Sequence, residues 1–150
     1  MATLEKAIAL ATQKHAGQTD KAGQPYIQHP LHVMNSVDLE DAKIVAVLHD
    51  ILEDTETTVQ ELQALGFKAQ IIEAIGALTK QPNETRLQAA ERTALNPLAI
   101  QVKLADLKDN MNVSRLPQVT EKDLARLEQY KRVEQRLLEA KAKFKSQKYL

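Results

Sequence analysis

Cysteine and tryptophan are both absent from this chain. No disulfide framework and no thiolate metal site can form, so any metal centre must draw on His, Asp and Glu. Aromatic residues make up only 3%, three Tyr and two Phe. No long period-two alternation appears, which argues against a sheet. Charge of neither sign prevails: 20 Lys plus Arg meet 20 Asp plus Glu. No strong field therefore steers the protein toward nucleic acid or a membrane. No apolar run approaches the roughly 20 residues of a membrane span. The start, Met1 to Lys6, lacks the basic and apolar segments of a signal peptide. The expectation is a cytoplasmic protein with neither nucleic-acid nor membrane partners.

What is present points to helices. The 150 residues are 43% hydrophobic, enough for one domain with a real core. Helical periodicity predicts a first helix over about 4–15, a loop over 17–29, and a short helix over 31–37 started by Pro30. A central helix is expected over about 40–54. Thr57 and Thr58, with Gln60 and Glu61 three residues on, read as overlapping capping boxes for a helix ending near Gly66. Further helices are expected over about 68–78, 84–95 (capped by Asn83) and 96–116 (opened by Asn96-Pro97). Thr120 and Asp123 open a last, charged helix to about 145. The fold class is thus all-α, with about eight helices.

The densest chemistry lies in His49-Asp50-Ile51-Leu52-Glu53-Asp54-Thr55. On a continuous helix His49 would stand over Glu53, and Asp50 over Asp54. Such a concentration of carboxylates is unfavourable unless a cation or a reaction uses it. The bare His-Asp pair has two readings, a buried His bonded to a backbone carbonyl or a metal pair. Farther along, Ile100, Leu104, Leu107 and Met111 form an apolar stripe, while Asp106 and Asn110 share another face. Two imidazoles and two carboxylates, from His29, His49, Asp50 and Asp106, suit Mn²⁺, Fe²⁺ or Zn²⁺ better than Mg²⁺ or Ca²⁺. Water on such a cation becomes acidic, its pKa falling from about 15.7 to about 7 on zinc.

These blocks resemble the HD-domain metal-dependent phosphohydrolases, and within them the Rel/Spo-type alarmone hydrolases and their small stand-alone forms. The matches run in order: His15-Ala16-Gly17-Gln18, Gly23-Gln24-Pro25-Tyr26-Ile27-Gln28-His29-Pro30-Leu31, Leu48-His49-Asp50-Ile51-Leu52-Glu53-Asp54-Thr55, and Val102-Lys103-Leu104-Ala105-Asp106 with Asn110. The resemblance implies one hydrolase domain over 1–150, its core about 4–130, with a charged helix over 120–146. It implies a single divalent metal, usually Mn²⁺, on His29, His49, Asp50 and Asp106. It makes Glu53 and Asp54 the catalytic pair, and Lys21, Asn110, Arg126 and Tyr130 substrate contacts. For Arg126 and Tyr130 a solvated Arg and a packing Tyr remain the alternative.

The implied reaction removes the 3′-pyrophosphate from guanosine tetra- or pentaphosphate. The chain departs from the family in its loop, where Thr19-Asp20-Lys21-Ala22 replaces an Arg-Lys pair, and at Asp109, where the family has His. Two other functions therefore stay open: hydrolysis of another nucleotide, 3′-phosphorylated or a 5′-monophosphate, and non-catalytic regulation by metal or nucleotide binding. His15 is expected to pack at the end of the first helix. His32 is expected on a surface or behind the site, Lys80 and Arg86 in solvent or near phosphates, and Lys103 in a structural or exposed position, with support of the site as the alternative.

Overall fold

A computed structural model describes residues 2–148. In order it contains α1 (Leu4–Lys14), α2 (Gln28–Asn35), α3 (Glu40–Leu48), α4 (Ile51–Asp54), α5 (Val59–Ala64), α6 (Ala69–Leu78), α7 (Arg86–Thr93) and α8 (Pro97–Asn110). A 3₁₀ turn, Val113–Arg115, leads into α9 (Glu121–Lys148). Among the described residues the only strand-like pairing is an isolated bridge between Thr19 and Pro25. The fold is all-α. Among those residues no helix is long and apolar enough to cross a membrane.

Helix α3 is the hub, packing against α1, α2, α6 and α8. Its run Ile44-Val45-Ala46-Val47-Leu48 is buried on every side, as befits a helix without a polar face. Around it gather Ala7 and Leu10 of α1, Val33 of α2, Ile71 and Ile75 of α6, and Ala99 and Val102 of α8. A second apolar cluster joins Ala90 and Ala94, Ile100 and Leu107 of α8, and Val133, Leu137 and Ala140 of α9. Helix α8 thus lies between two cores. The stripe of Ile100, Leu104, Leu107 and Met111 faces one of them, while Ala99 and Val102 serve the other.

Several boundaries differ from the sequence expectation, for local reasons. The central helix breaks at His49–Asp50. The His49 ring Nδ1–H donates to the Ala46 carbonyl at 2.6 Å, and the His49 backbone N–H reaches the same oxygen at 3.4 Å. That oxygen would otherwise receive the amide of Asp50. Asp50 takes φ −100°, ψ 0°, and α4 restarts beyond it. Asp50 and Asp54 stay one turn apart, joined by a 2.9 Å backbone bond. His49 is buried and Glu53 exposed, so the expected stacking of those two on one unbroken helix is corrected.

Only Thr58 caps α5, accepting from the Glu61 amide. Thr57 is buried and bonded to Thr55 instead. Asn83 does not cap α7: it takes a left-handed turn conformation (φ 69°), which Asn tolerates. Thr85 and Gln88 form the capping box in its place. Helix α8 stops at Asn110 rather than near 116, because Asn112 accepts from the Ser114 amide and starts the 3₁₀ turn. Helix α9 runs on to Lys148.

Candidate active site

Four segments meet at one point. Helix α2 carries His29 in its first turn, where Pro30 needs no backbone donor. The end of α3 carries His49, the break carries Asp50, and α8 carries Asp106. His29 Nε2 lies 2.7 Å from Asp106 Oδ1 and 4.0 Å from Asp50 Oδ2. His49 Nε2 lies 3.0 Å from Asp50 Oδ2 and 3.2 Å from Asp106 Oδ1. His29, His49 and Asp50 each offer one donor atom within 4.8 Å of the others.

Hydrogen bonding tests whether a cation fits. A carbonyl only accepts, so His49 Nδ1 holds a ring proton against Ala46, and in the neutral ring the Nε2 lone pair turns inward. That Nε2 is buried without a hydrogen-bond partner, facing two carboxylates. Lone pairs opposed in this way repel one another, and a divalent cation between them satisfies all three groups. The donor set therefore fits a metal ion.

The electrostatics record the same crowding. Burial alone would lower the His29 pKa, but hydrogen bonds to Asp106 and Asp109 push it up to about 9. For His49, burial is likewise outweighed by Asp50 and Asp106, and its pKa is raised. Burial would raise Asp106, yet Lys103 and the two histidines hold its carboxyl well below the usual range. Asp50 is lowered as well, His49 outweighing burial. Asp54 is shifted upward, by partial burial and then by the charges of Asp50 and Glu53.

The cluster opens into a cleft of about 480 Å³ lined by His29, Asp50, Glu53, Asp54, Asp106 and Asn110. Lys21, Arg86, Lys103, Arg126 and Tyr130 line it too, while buried His49 lies behind. Glu53 Oε1 accepts from the Lys80 backbone amide at 2.9 Å, which fixes the carboxylate to the end of α6. Asn110 Nδ2 donates to Asp106 Oδ1 at 3.1 Å. Lys21 Nζ stands 3.3 Å from Asp123 Oδ1, and Arg126 Nη1 lies 3.9 Å from the same oxygen. The Arg86 guanidinium sits 5.3 Å from the centre of the Tyr130 ring. Tyr130 and Arg126, one turn apart on α9, both reach the cleft. Asp20 turns inward on its own loop, accepting from the Ala22 and Gln24 amides at 2.9 Å.

Three side chains left outside the site assignment by the sequence also contribute. The Tyr26 hydroxyl donates to Asp50 Oδ2, and burial followed by the Asp50 charge pushes its pKa upward. Lys103, expected to be structural, places Nζ 2.9 Å from Asp106 Oδ2 and lines the cleft. Asp109 bonds the His29 ring at 2.6 Å. Tyr26 belongs to the Pro25-Tyr26-Ile27-Gln28-His29-Pro30 block, and Lys103 stands three residues before Asp106, an i, i+3 spacing that is itself a signal. His15 does pack, against Tyr26, and reaches the active-site wall through Gln18, which donates to the Asp54 carbonyl at 3.0 Å. His32 is exposed, 3.6 Å from Asp109. Lys80 contributes its backbone.

Comparison with known proteins matches this geometry to a family. The chain is 34% identical over 119 residues to the guanosine-3′,5′-bis(diphosphate) 3′-pyrophosphohydrolase of Aquifex aeolicus, covering 72% of this chain and 17% of that protein. It is 34% identical over 122 residues to the bifunctional (p)ppGpp synthase/hydrolase SpoT of Escherichia coli, again 72% and 17%. To a GTP pyrophosphokinase of Myxococcus xanthus it is 33% identical over 143 residues, 84% of this chain and 19% of that protein. The chain thus spans under a fifth of the length of these curated relatives. A solved structure described as a metazoan ortholog of SpoT that hydrolyzes ppGpp superimposes with a TM-score of 0.72 at 21% identity, over 93% of this chain and 85% of that one. That likeness bears on the fold. Residues 7–126 match the HD domain, a span holding both histidines and both carboxylates of the cluster, and the chain belongs to the HD domain family.

Proposed function

We propose that this protein is a Mn²⁺-dependent phosphohydrolase that removes the 3′-pyrophosphate from guanosine 3′,5′-bis(diphosphate) or its pentaphosphate form. The observation that carries this reading is the convergence of the His/Asp cluster, the Glu53–Asp54 pair and four cationic side chains on one cleft. The identity to two relatives named for hydrolysis of this alarmone class supports the substrate. We read the chain as one hydrolase unit, with a core over 4–130 and the charged helix over 120–146 as its wall. We place it in the cytoplasm, with a small nucleotide rather than a nucleic acid or membrane as partner.

In this reading His29, His49, Asp50 and Asp106 hold one divalent cation. Bound there, the cation supplies charge stabilisation at a phosphoryl oxygen and acidifies water. Glu53 and Asp54 orient the attacking water and take its proton. The upward shift of Asp54 suits it as the acceptor. The water oxygen bonds to the phosphorus on the ribose 3′-oxygen, and the bond from that phosphorus to the 3′-oxygen breaks. The 3′-oxygen takes a proton, and pyrophosphate leaves. Lys103, Arg86, Arg126 and Lys21 offset the substrate charge that the carboxylates would repel. Asn110 and Tyr130 contact the nucleoside side. Exclusion of bulk water falls to the Tyr26 and α9 walls.

One observation favours a second substrate. Asp123 already engages Lys21 and Arg126, which weakens the cleft's grip on a highly charged nucleotide and suits one with fewer phosphates. Incubation with Mn²⁺ and a nucleotide panel separates the readings. Pyrophosphate release from guanosine tetraphosphate, lost by at least about a hundredfold in Glu53→Gln and Asp54→Asn, is expected. Phosphate release from another nucleotide alone would favour the second reading. Binding without any hydrolysis would indicate a regulator.

A further inference from the structure

One helix grips the His29 ring at both nitrogens. Nε2 lies 2.7 Å from Asp106 Oδ1, and Nδ1 lies 2.6 Å from Asp109 Oδ2. The two carboxylates stand three residues apart on α8, so a single turn presents both. A neutral imidazole has one N–H and one lone pair. With Nε2 turned toward the cluster as a ligand atom, the proton belongs on Nδ1, and the acceptor it meets is the Asp109 carboxylate. The Asp109 side chain is only 17% exposed, so solvent screens this contact little. Its other oxygen lies 3.6 Å from His32 Nδ1, which braces the carboxylate from the solvent side.

The two histidines are therefore supported unequally. His49 gives its Nδ1 proton to a neutral carbonyl, that of Ala46, whereas His29 gives its own to a charged carboxylate. A carboxylate acceptor draws the proton more strongly and leaves the opposite nitrogen richer in electrons. The ring becomes the stronger metal ligand of the two. It is also held in a fixed tautomer and a fixed plane.

We infer that Asp109 is a positioning residue of the metal centre, acting through His29 to fix its tautomer and strengthen it as a ligand. This rests on the proposed role of His29 as a metal ligand. Asp109 itself touches neither substrate nor cation in this scheme. The Asp109 effect is specific to His29, because His49 draws its support from α3 alone.

The test measures metal affinity rather than turnover. Chelator-stripped protein is titrated with Mn²⁺ in competition with a fluorescent chelator, as wild type, Asp109→Ala and Asp109→Asn, with Asp106→Ala as a ligand-loss reference. Asp109→Ala is expected to bind Mn²⁺ about 10–100-fold more weakly. Asp109→Asn should lose less, since its amide oxygen still accepts the proton. Circular dichroism of the stripped proteins checks folding, and Asp109→Asn carries the test where the Ala variant does not fold. In Co²⁺-loaded protein, the shifted His29 N–H resonance should exchange with water faster in either variant, a signature that loss of packing alone does not give. Unchanged affinity in both variants, with one Mn²⁺ bound to wild type, overturns the inference and leaves the metal centre standing. Failure of wild type to take up Mn²⁺ overturns both.

Discussion

Two imidazoles and two carboxylates meet at 2.7 to 4.0 Å, and protons and a cation compete for the space between them. Without metal, protons on the histidines neutralise the acids. The folded His29 pKa, about 9, lies above its ordinary value of 6.5, and His49 shifts the same way. A raised pKa means the fold favours the protonated ring. The stabilisation is fully present below pH 6.5 and disappears as pH climbs through about 9. Chelator-treated protein should therefore lose thermal stability steadily across that window. Mn²⁺ affinity should rise over the same window, as the competing protons leave. Calorimetry at a series of pH values, with chelator and with excess Mn²⁺, checks this. A flat profile in chelator would reject the protonated arrangement.

Among the elements, the turn between α6 and α7 supports the cleft from behind, through the Lys80 amide that holds Glu53 and by leading into Arg86. Arg92 Nη1 and Nη2 donate to the Gly76 and Thr79 carbonyls at 3.2 and 2.6 Å. Both carbonyls lie at the end of α6, and that of Gly76 also accepts the Thr79 amide at 3.1 Å. The same guanidinium forms two 2.7 Å bonds with Glu84. That pairing holds the Glu84 carboxyl down at about 2, so its contribution exists above the ordinary value of 4.5 and is lost as pH falls toward 2. Arg92→Ala should cost about 1–3 kcal/mol in urea unfolding, because partly buried carbonyls lose charged donors. Its stability should also depend less on acid than that of wild type.

Local signals made much of this level legible in the sequence. Thr58, Asn96-Pro97 and Thr120 mark helix starts because a cap needs only its next three residues. The break at His49 was not legible, since it depends on a buried ring taking the Ala46 carbonyl. The meeting of His29, His49, Asp50 and Asp106 was legible through ordered motifs. Of the partners behind them, Lys103 follows from its i, i+3 spacing to Asp106 on α8, whereas the Tyr26 and Asp109 contacts depend on which atoms face each other between separate segments, and a linear pattern carries no such information.

At the scale of the whole molecule, the cleft is built on the seam between two cores. His29 and His49 are buried, and their neighbours Ile27, Leu31 and Leu48 belong to the core around α3. Arg126 and Tyr130 project from α9, whose hold on α8 and α7 runs through Val133, Leu137 and Ala140. Leu137 is fully buried and lies about two turns beyond Tyr130, away from the metal cluster. Leu137→Ala should destabilise the protein by roughly 2–5 kcal/mol through the cavity it leaves. It should also loosen α9 and with it the substrate wall. The His/Asp cluster, in which Asp106 is held by Lys103, Asn110 and His29, has no part in that contact. We therefore expect Leu137→Ala to raise KM while Mn²⁺ affinity stays within about twofold of wild type. Titration of both quantities on one preparation is the check. Parallel losses in nucleotide and metal binding would show that the two cores act as one.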